Sequence, residues 1–154
     1  MFGQGTKMEG KVHAISISKR RGIPKSNVDG VKLIEDFGIE NDAHAGKWHR
    51  QVSLLAVESI EKMRKTLPNL RAGAFAENIT TQNFDLGSLK IGSKIKIGTE
   101  AELKITQIGK ECHTKCAIFY QVGDCIMPKE GIFAVVIKGG IINKGDGLTV
   151  IDTR

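Results

Sequence analysis

Aromatic residues are scarce in this 154-residue chain: six Phe, one Tyr and one Trp, or 5% of the total. That scarcity argues against a base-stacking platform of the kind used by single-strand nucleic-acid binders. No apolar run reaches the ~18–20 residues needed to span a bilayer. The opening Met1-Phe-Gly-Gln-Gly-Thr-Lys-Met-Glu-Gly10 lacks the apolar core of a secretory signal. The expectation is a cytoplasmic protein without membrane contact. Three cysteines, an odd number, do not suit a secreted disulfide framework. In a reducing compartment they are thiols, available as nucleophiles, sulfur carriers or soft metal ligands.

A length of 154 residues fits one domain, large enough to bury a core without a disulfide or a structural metal. The expected division is a flexible N-terminus over residues 1–9 and one domain over 10–154. Net charge is +6, from 23 Lys and Arg against 17 Asp and Glu. This surplus favours anionic partners. No basic block or nucleic-acid motif accompanies it, so nucleic acid is not the expected partner. An anionic small molecule carrying a phosphate fits the same charge.

The 18 glycines recur between short β-branched runs, the pattern of many short strands joined by turns. Strands are expected at 10–18, 51–56, 78–81, 94–97, 102–108, 132–138 and 148–151, several with period-two alternation. Residues 19–30 read as a loop. Val57, Ile60, Met63 and Leu67 follow helical spacing and Pro68 stops the run, which predicts one helix over 57–67. Seven or so strands with one helix point to a mainly β fold: a closed or nearly closed β-barrel with one or a few flanking helices.

Three segments carry chemistry. Gly109–Gly131 holds Cys112, Cys116 and Cys125 together with Lys110, His113 and Lys115. Neighbouring cations stabilise a thiolate, the reactive form of cysteine. Cys112-x3-Cys116 is permitted spacing for half a zinc site, but no matching pair follows, and a Cys3His set would have to borrow His44 or His113. Gly38–Leu55 gathers Asp42, His44, Lys47, His49, Arg50 and Gln51 beside small residues. Such residues let backbone approach a ligand, and an arginine fork grips phosphate. Gly73–Thr81 places Glu77 and Asn78 on opposite sides of an extended strand, with Asn78 and Thr80 on one side.

In this order and spacing, Asn41-Asp-Ala-His-Ala-Gly46, Arg50-Gln-Val-Ser-Leu54, Gly73-Ala-Phe-Ala-Glu-Asn-Ile-Thr80, Leu89-Lys-Ile-Gly92, Ile108-Gly-Lys-Glu-Cys-His113, Cys116, Glu130-Gly-Ile-Phe-Ala134, Gly139-Gly140 and Gly145-Asp146 resemble the MOSC family, named for the C-terminal domain of molybdenum cofactor sulfurases. The resemblance covers residues 10–151. It implies a β-barrel with a ligand cleft, binding of the pterin–molybdenum cofactor, and a cysteine that carries sulfur or ligates the metal. The best counterpart of the ligating cysteine is Cys116, with Cys125 a competitor and Cys112 beside it. His44, Arg50, Glu77, Asn78, Lys110 and His113 are the implied cofactor contacts. Multidomain relatives carry a pyridoxal-phosphate cysteine desulfurase, and no pyridoxal-phosphate site is expected here. Sulfur or electrons would then come from a donor protein.

The leading functional expectation is a module that holds the molybdenum cofactor, or a sulfur destined for it, through a loop cysteine. One alternative is a molybdenum oxidoreductase reducing N-oxygenated substrates, with Cys116 on the metal. Another is a zinc-stabilised module that binds through its basic surface.

Overall fold

Alternating apolar and polar residues decide which face of each strand turns inward, and here the strands curl until the first meets the last. The computed structural model describes residues 9–109 and 130–152. Its strands are β1 (Glu9–Ile17), β2 (Ser26–Val28), β3 (Gly30–Ile34), β4 (Gly38–Ile39), β5 (Val52–Ala56), β6 (Ile79–Gln82), β7 (Lys94–Ile97), β8 (Ala101–Ile108), β9 (Ile132–Lys138), β10 (Gly140–Asn143) and β11 (Gly147–Asp152). The α-helix α1 (Val57–Met63) follows β5 directly, and a 3-10 turn spans Leu86–Ser88. No helix among the described residues is long and apolar enough to cross a membrane.

Seven strands form the closed barrel, in the order β1, β11, β7, β8, β9, β5, β6 and back to β1. The closing seam pairs Glu9 with Thr149 and Lys11 with Gly147. β2 adds outside the ring, on the far end of β1. Neighbours in the ring are antiparallel except β5 and β6, which run parallel and therefore need the crossover that α1 begins. Val12, Leu54, Ile79, Ile95, Leu103, Ile105 and Val136 fill the interior, each almost completely buried. A small barrel has room only for side chains, so this is a packed core rather than a channel.

A second sheet of β10, β3 and β4 lies against the barrel and adds Leu33, Ile39 and Ile142 to the same core. A smaller apolar cluster of Leu55, Ile60, Phe75 and Phe133 seats α1 and the following loop on the barrel's outer wall. The mainly β barrel with one helix is as the sequence indicates, and β7 and β9 have the expected bounds. The loop expected over 19–30 contains β2, and β3, β4 and β10 are additional strands. The helix ends at Met63 instead of Leu67. Beyond it, the Thr66 and Leu67 amides both bond to the Met63 carbonyl, turning the chain before Pro68.

The core and the surface should respond differently to truncation. Ile105→Ala, at a fully buried position, should cost about 2–5 kcal/mol. Ile141→Ala, at a side chain 66% exposed, should change stability by less than about 0.5 kcal/mol. Urea unfolding midpoints with an unchanged denaturant slope would check both.

Candidate functional site

The outward face of the barrel wall carries the site. Ser53 on β5 and Phe133 on β9 are register partners. Their neighbours Val52, Leu54, Ile132 and Ala134 belong to the core, so Ser53 and Phe133 point the other way. Three loops rise around that pair: residues 18–25 between β1 and β2, 40–51 between β4 and β5, and 71–78 before β6. Together they enclose a cavity of about 220 Å³ lined by Arg21, His44, Trp48, Arg50, Ser53, Phe75, Ala76, Asn78 and Phe133.

Two arginines flank the indole of Trp48. The Arg21 guanidinium lies 5.0 Å and that of Arg50 4.8 Å from the ring centroid, and Arg50 also lies 5.6 Å from the Phe133 ring. These are cation–π distances. The indole is held in place because its Nε1–H donates to the His44 carbonyl at 2.8 Å. Arg50 Nε is buried and has no hydrogen-bond partner among the described residues. A buried donor without an acceptor is costly, which makes this edge of the guanidinium a natural seat for an anion.

Beneath His44 lies a buried lysine. Lys25, 1% exposed, directs Nζ to Asp42 Oδ1 at 2.8 Å, His44 Nδ1 at 3.1 Å and Ser18 Oγ at 3.3 Å. Asp42 also accepts the backbone N–H groups of Ser18 and His44. Burial alone would raise the Asp42 carboxyl, but the hydrogen bond and charge of Lys25, with the two amides, hold it below the usual aspartate value.

The loop before β6 is organised by Glu77. Its carboxylate is fully buried and accepts from Gly73 N at 2.8 Å, Thr80 Oγ1 at 2.8 Å and Phe75 N at 3.2 Å. Burial pushes its pKa up, against the opposing pull of those donors. Gly73 sits at φ +91°, and a Cβ there would meet Ser16 Oγ at 2.6 Å. Ala76 takes a left-handed conformation at φ 66°, an uncommon state for alanine that turns the chain into β6. Asn78 Oδ1 accepts from Ser53 N and Ser53 Oγ, while its Nδ2 donates to the Ser16 carbonyl.

Of the residues singled out in the sequence, His44, Arg50 and Asn78 meet at one cavity. Glu77 does not line it; its carboxylate is taken up by its own loop, because a buried acid needs those donors more than a ligand does. Thr80 likewise spends its hydroxyl on Glu77, so the shared ligand face expected for Asn78 and Thr80 is not formed by Thr80. Asp42 and Gln51 are buried supports, whereas Lys47 and His49 are exposed. Cys112, Cys116, Cys125, Lys110, His113 and Lys115 lie outside the described residues. The described flanks of their segment are clasped by a Gly109 N–H bond to the Gly131 carbonyl at 2.7 Å, two residues from the cavity-lining Phe133.

Sequence reading passed over Arg21, Trp48, Ser53, Phe75, Phe133 and Lys25. Arg21 and Lys25 fell within a segment read as loop, where nothing local distinguishes a buried lysine from solvated ones. Among the described residues, no three His, Cys, Asp or Glu side chains gather as a metal site. A larger cavity of about 560 Å³ lies elsewhere, between α1 and the 83–89 segment. Two of its three acidic residues are already engaged: Glu58 accepts from Asn83 N, and Glu130 from Ser59 and Lys62. The smaller cavity, with its unmet cationic donor, is the stronger candidate.

Asp42→Asn should destabilise the protein by about 3–5 kcal/mol at neutral pH, since Lys25 loses its buried counter-charge. A depressed carboxyl stabilises above its unfolded pKa of ~3.9 and loses that contribution as pH falls through the folded value. The gap between wild type and variant should therefore narrow below about pH 4. Urea midpoints between pH 3 and 7 would read this; a constant gap would show that Asp42 is not the titrating group.

The MOSC domain family model matches residues 41–149. No curated protein matches the sequence. Among solved structures, the fold is similar to the YUAD protein of Bacillus subtilis, with a TM-score of 0.79 and 19% identity over 96% of this chain and 98% of that one. It is also similar to YiiM from Geobacillus stearothermophilus, with a TM-score of 0.69 and 19% identity over 93% of this chain and 75% of that one. YiiM from Escherichia coli gives a TM-score of 0.65 and 19% identity over 92% and 70%. The family match takes in the strands from β5 to β10, the His44–Arg50 loop and the Glu77–Asn78 turn, and by it this chain belongs to the MOSC domain family.

Proposed function

We propose that this protein is a binding and carrier module for the molybdenum cofactor. The MOSC family is associated with molybdenum cofactor binding or sulfurase-like function. The observation that carries the reading is the buried, unpartnered Nε of Arg50 in a cavity shared with Arg21 and His44. A cavity of about 220 Å³ is smaller than the ~300–1,000 Å³ typical of whole-ligand pockets. It suits the phosphate end of the pterin, with the remainder lying along the rim.

In this reading Arg50 and Arg21 grip the phosphate and His44 adds a hydrogen-bond donor. Trp48 and Phe133 exclude water from the arginine, which strengthens its attraction for the anion. The bound cofactor supplies the molybdenum centre that accepts sulfur or handles electrons. Asn78 does not bind the ligand through its amide; it fixes Ser53 and the start of β6. In this reading a thiol of the 109–131 connection completes the site, Cys116 first and Cys125 or Cys112 after it. Sulfur or reducing equivalents come from a donor protein, and the work belongs to the cytoplasm. A retained metal that turns over N-oxygenated substrates with a reductant alone would instead favour the oxidoreductase reading.

The test is protein expressed in a cofactor-making host, with molybdenum measured by elemental analysis and pterin by fluorescence after oxidation. Stoichiometric pterin is expected in the wild type. Arg50→Gln should lower retention by about tenfold or more, the worth of a charge-assisted hydrogen bond. Cys116→Ser should lose the metal or the sulfur load and leave the fold intact. Zinc without pterin would sink the proposal, and loss of folding in Cys116→Ser would point to a structural metal.

A further inference from the structure

A third cavity, of about 320 Å³, lies where β1 and β2 meet the loop after α1 and the turn between β10 and β11. Its polar lining is His13, Asn27, Asp29, Arg64, Arg71 and Lys144, and it shares no residue with the Arg50 cavity. The volume falls at the lower end of the ~300–1,000 Å³ typical of small-ligand pockets.

The fold brings these groups together in separate ways. Val12 pairs with Thr81 and Ala14 with Thr80, so His13 is the extra residue of a β-bulge. A bulge re-aims a side chain out of the strand's alternation. Arg64 caps the end of α1, and its Nε–H donates to the Leu70 carbonyl at 2.8 Å. Arg71 Nη2 donates to the Lys25 carbonyl at 3.2 Å. Each contact spends one of five guanidinium N–H donors and restrains the side chain, so less ordering is left to lose when a ligand arrives. The Lys144 N–H donates to the Asp29 carbonyl at 2.8 Å, which fixes the β10–β11 turn beside the end of β2.

The charges are unbalanced. Arg64, Arg71 and Lys144 bring three positive charges against the one carboxylate of Asp29. The salt bridges among the described residues involve none of these four side chains. A concave site with one sign in surplus concentrates the opposite ion, and a surplus of two matches a dianion. Two arginine forks and an ammonium also ask for several acceptor oxygens at one centre. A phosphomonoester offers three, a carboxylate two.

We propose that this cavity is a second anion site, in which Arg64 and Arg71 contact the ligand, Lys144 and His13 support them, and the ligand is a small molecule bearing a phosphomonoester. The proposal is independent of the cofactor reading of the Arg50 cavity.

The test is a titration of the full ¹⁵N-labelled chain with phenyl phosphate at pH 7, where a phosphomonoester with a second pKa near ~6 is mostly a dianion. Arginine Nε–H signals are followed, with Arg64 and Arg71 assigned by their loss in Arg64→Lys and Arg71→Lys. Both signals should move and saturate on one curve. Arg20, exposed and outside the lining, is the control. Movement no larger than that of Arg20 means ionic screening and overturns the site. The Arg50 signal reports the other cavity in the same titration, so the two readings fail separately.

Arg71→Gln should weaken binding about tenfold or more at the Arg64 signal, the worth of a charge-assisted hydrogen bond. Asp29→Asn should tighten it about twofold to fivefold by removing a like charge from an exposed position. A merely disturbed fold would not tighten binding; an unchanged or weaker affinity in Asp29→Asn overturns the assignment. Benzoate should bind about tenfold more weakly than phenyl phosphate, and equal binding overturns the phosphate class.

Discussion

The seam between β1 and β11 is the constraint on which everything else rests. Once those strands pair, every residue of the ring is committed to an inside or an outside by the period-two geometry of a strand. The inside is Val, Ile and Leu at positions such as Val12, Ile95, Leu103 and Leu148. The outside is free to carry polar chemistry, and Ser53 and Phe133 are its contribution to the cavity. A slip of one residue in β5 would bring Ser53 into the core and push Leu54 onto the ligand face. The identity of the site is thus a consequence of the register of the barrel.

The polar groups around the cavity fall into two kinds. Glu77, Asn78, Asp42 and Lys25 are buried and fully used, each holding backbone or another side chain. Such networks are poor sources of net stability, because desolvating the charges cancels much of what pairing returns. Their value is geometric: they fix where loops 40–51 and 71–78 stand relative to the barrel wall. Arg50 is the exception, with a buried donor left unmet. Among the described residues two buried side-chain atoms lack a hydrogen-bond partner, Arg50 Nε and Thr81 Oγ1, and of these Arg50 is the one that lines the cavity, which marks its guanidinium edge as the place for a partner.

Much of the architecture was legible in the sequence because period-two alternation and glycine punctuation survive without tertiary context. Lys94-Ile-Lys-Ile97 and Ile132–Lys138 show it with their ends intact. β2 and β4 were invisible, being three and two residues long, too short for a period to declare itself. β3 and β10 pair only with each other and with β4, so their strand character is tertiary. At the site, His44, Arg50 and Asn78 were found by the type and order of residues. Lys25 and Arg21 were not, because burial of a lysine and the stacking of an arginine on a distant indole are set by how loops meet. The use of Glu77 within its own loop was hidden for a related reason: the sequence shows an acid near a ligand loop and cannot show that its oxygens are occupied.

The seam has a further consequence for the order in which the molecule can assemble. β1 finds β2 and β6 early in the chain, yet one edge of its first residues waits for β11, the final strand. During vectorial synthesis that edge is an open template while most of the chain emerges, the arrangement most exposed to wrong strand partners. Contacts between sequence-distant strands also fold slowly, since loop entropy must be lost before they are rewarded. The cavity, by contrast, is assembled from residues 18 to 80 plus β9, and its walls do not include β11. Ring closure, which joins the two strands of the barrel most distant in sequence, is the vulnerable event, and the cavity wall lies away from that seam.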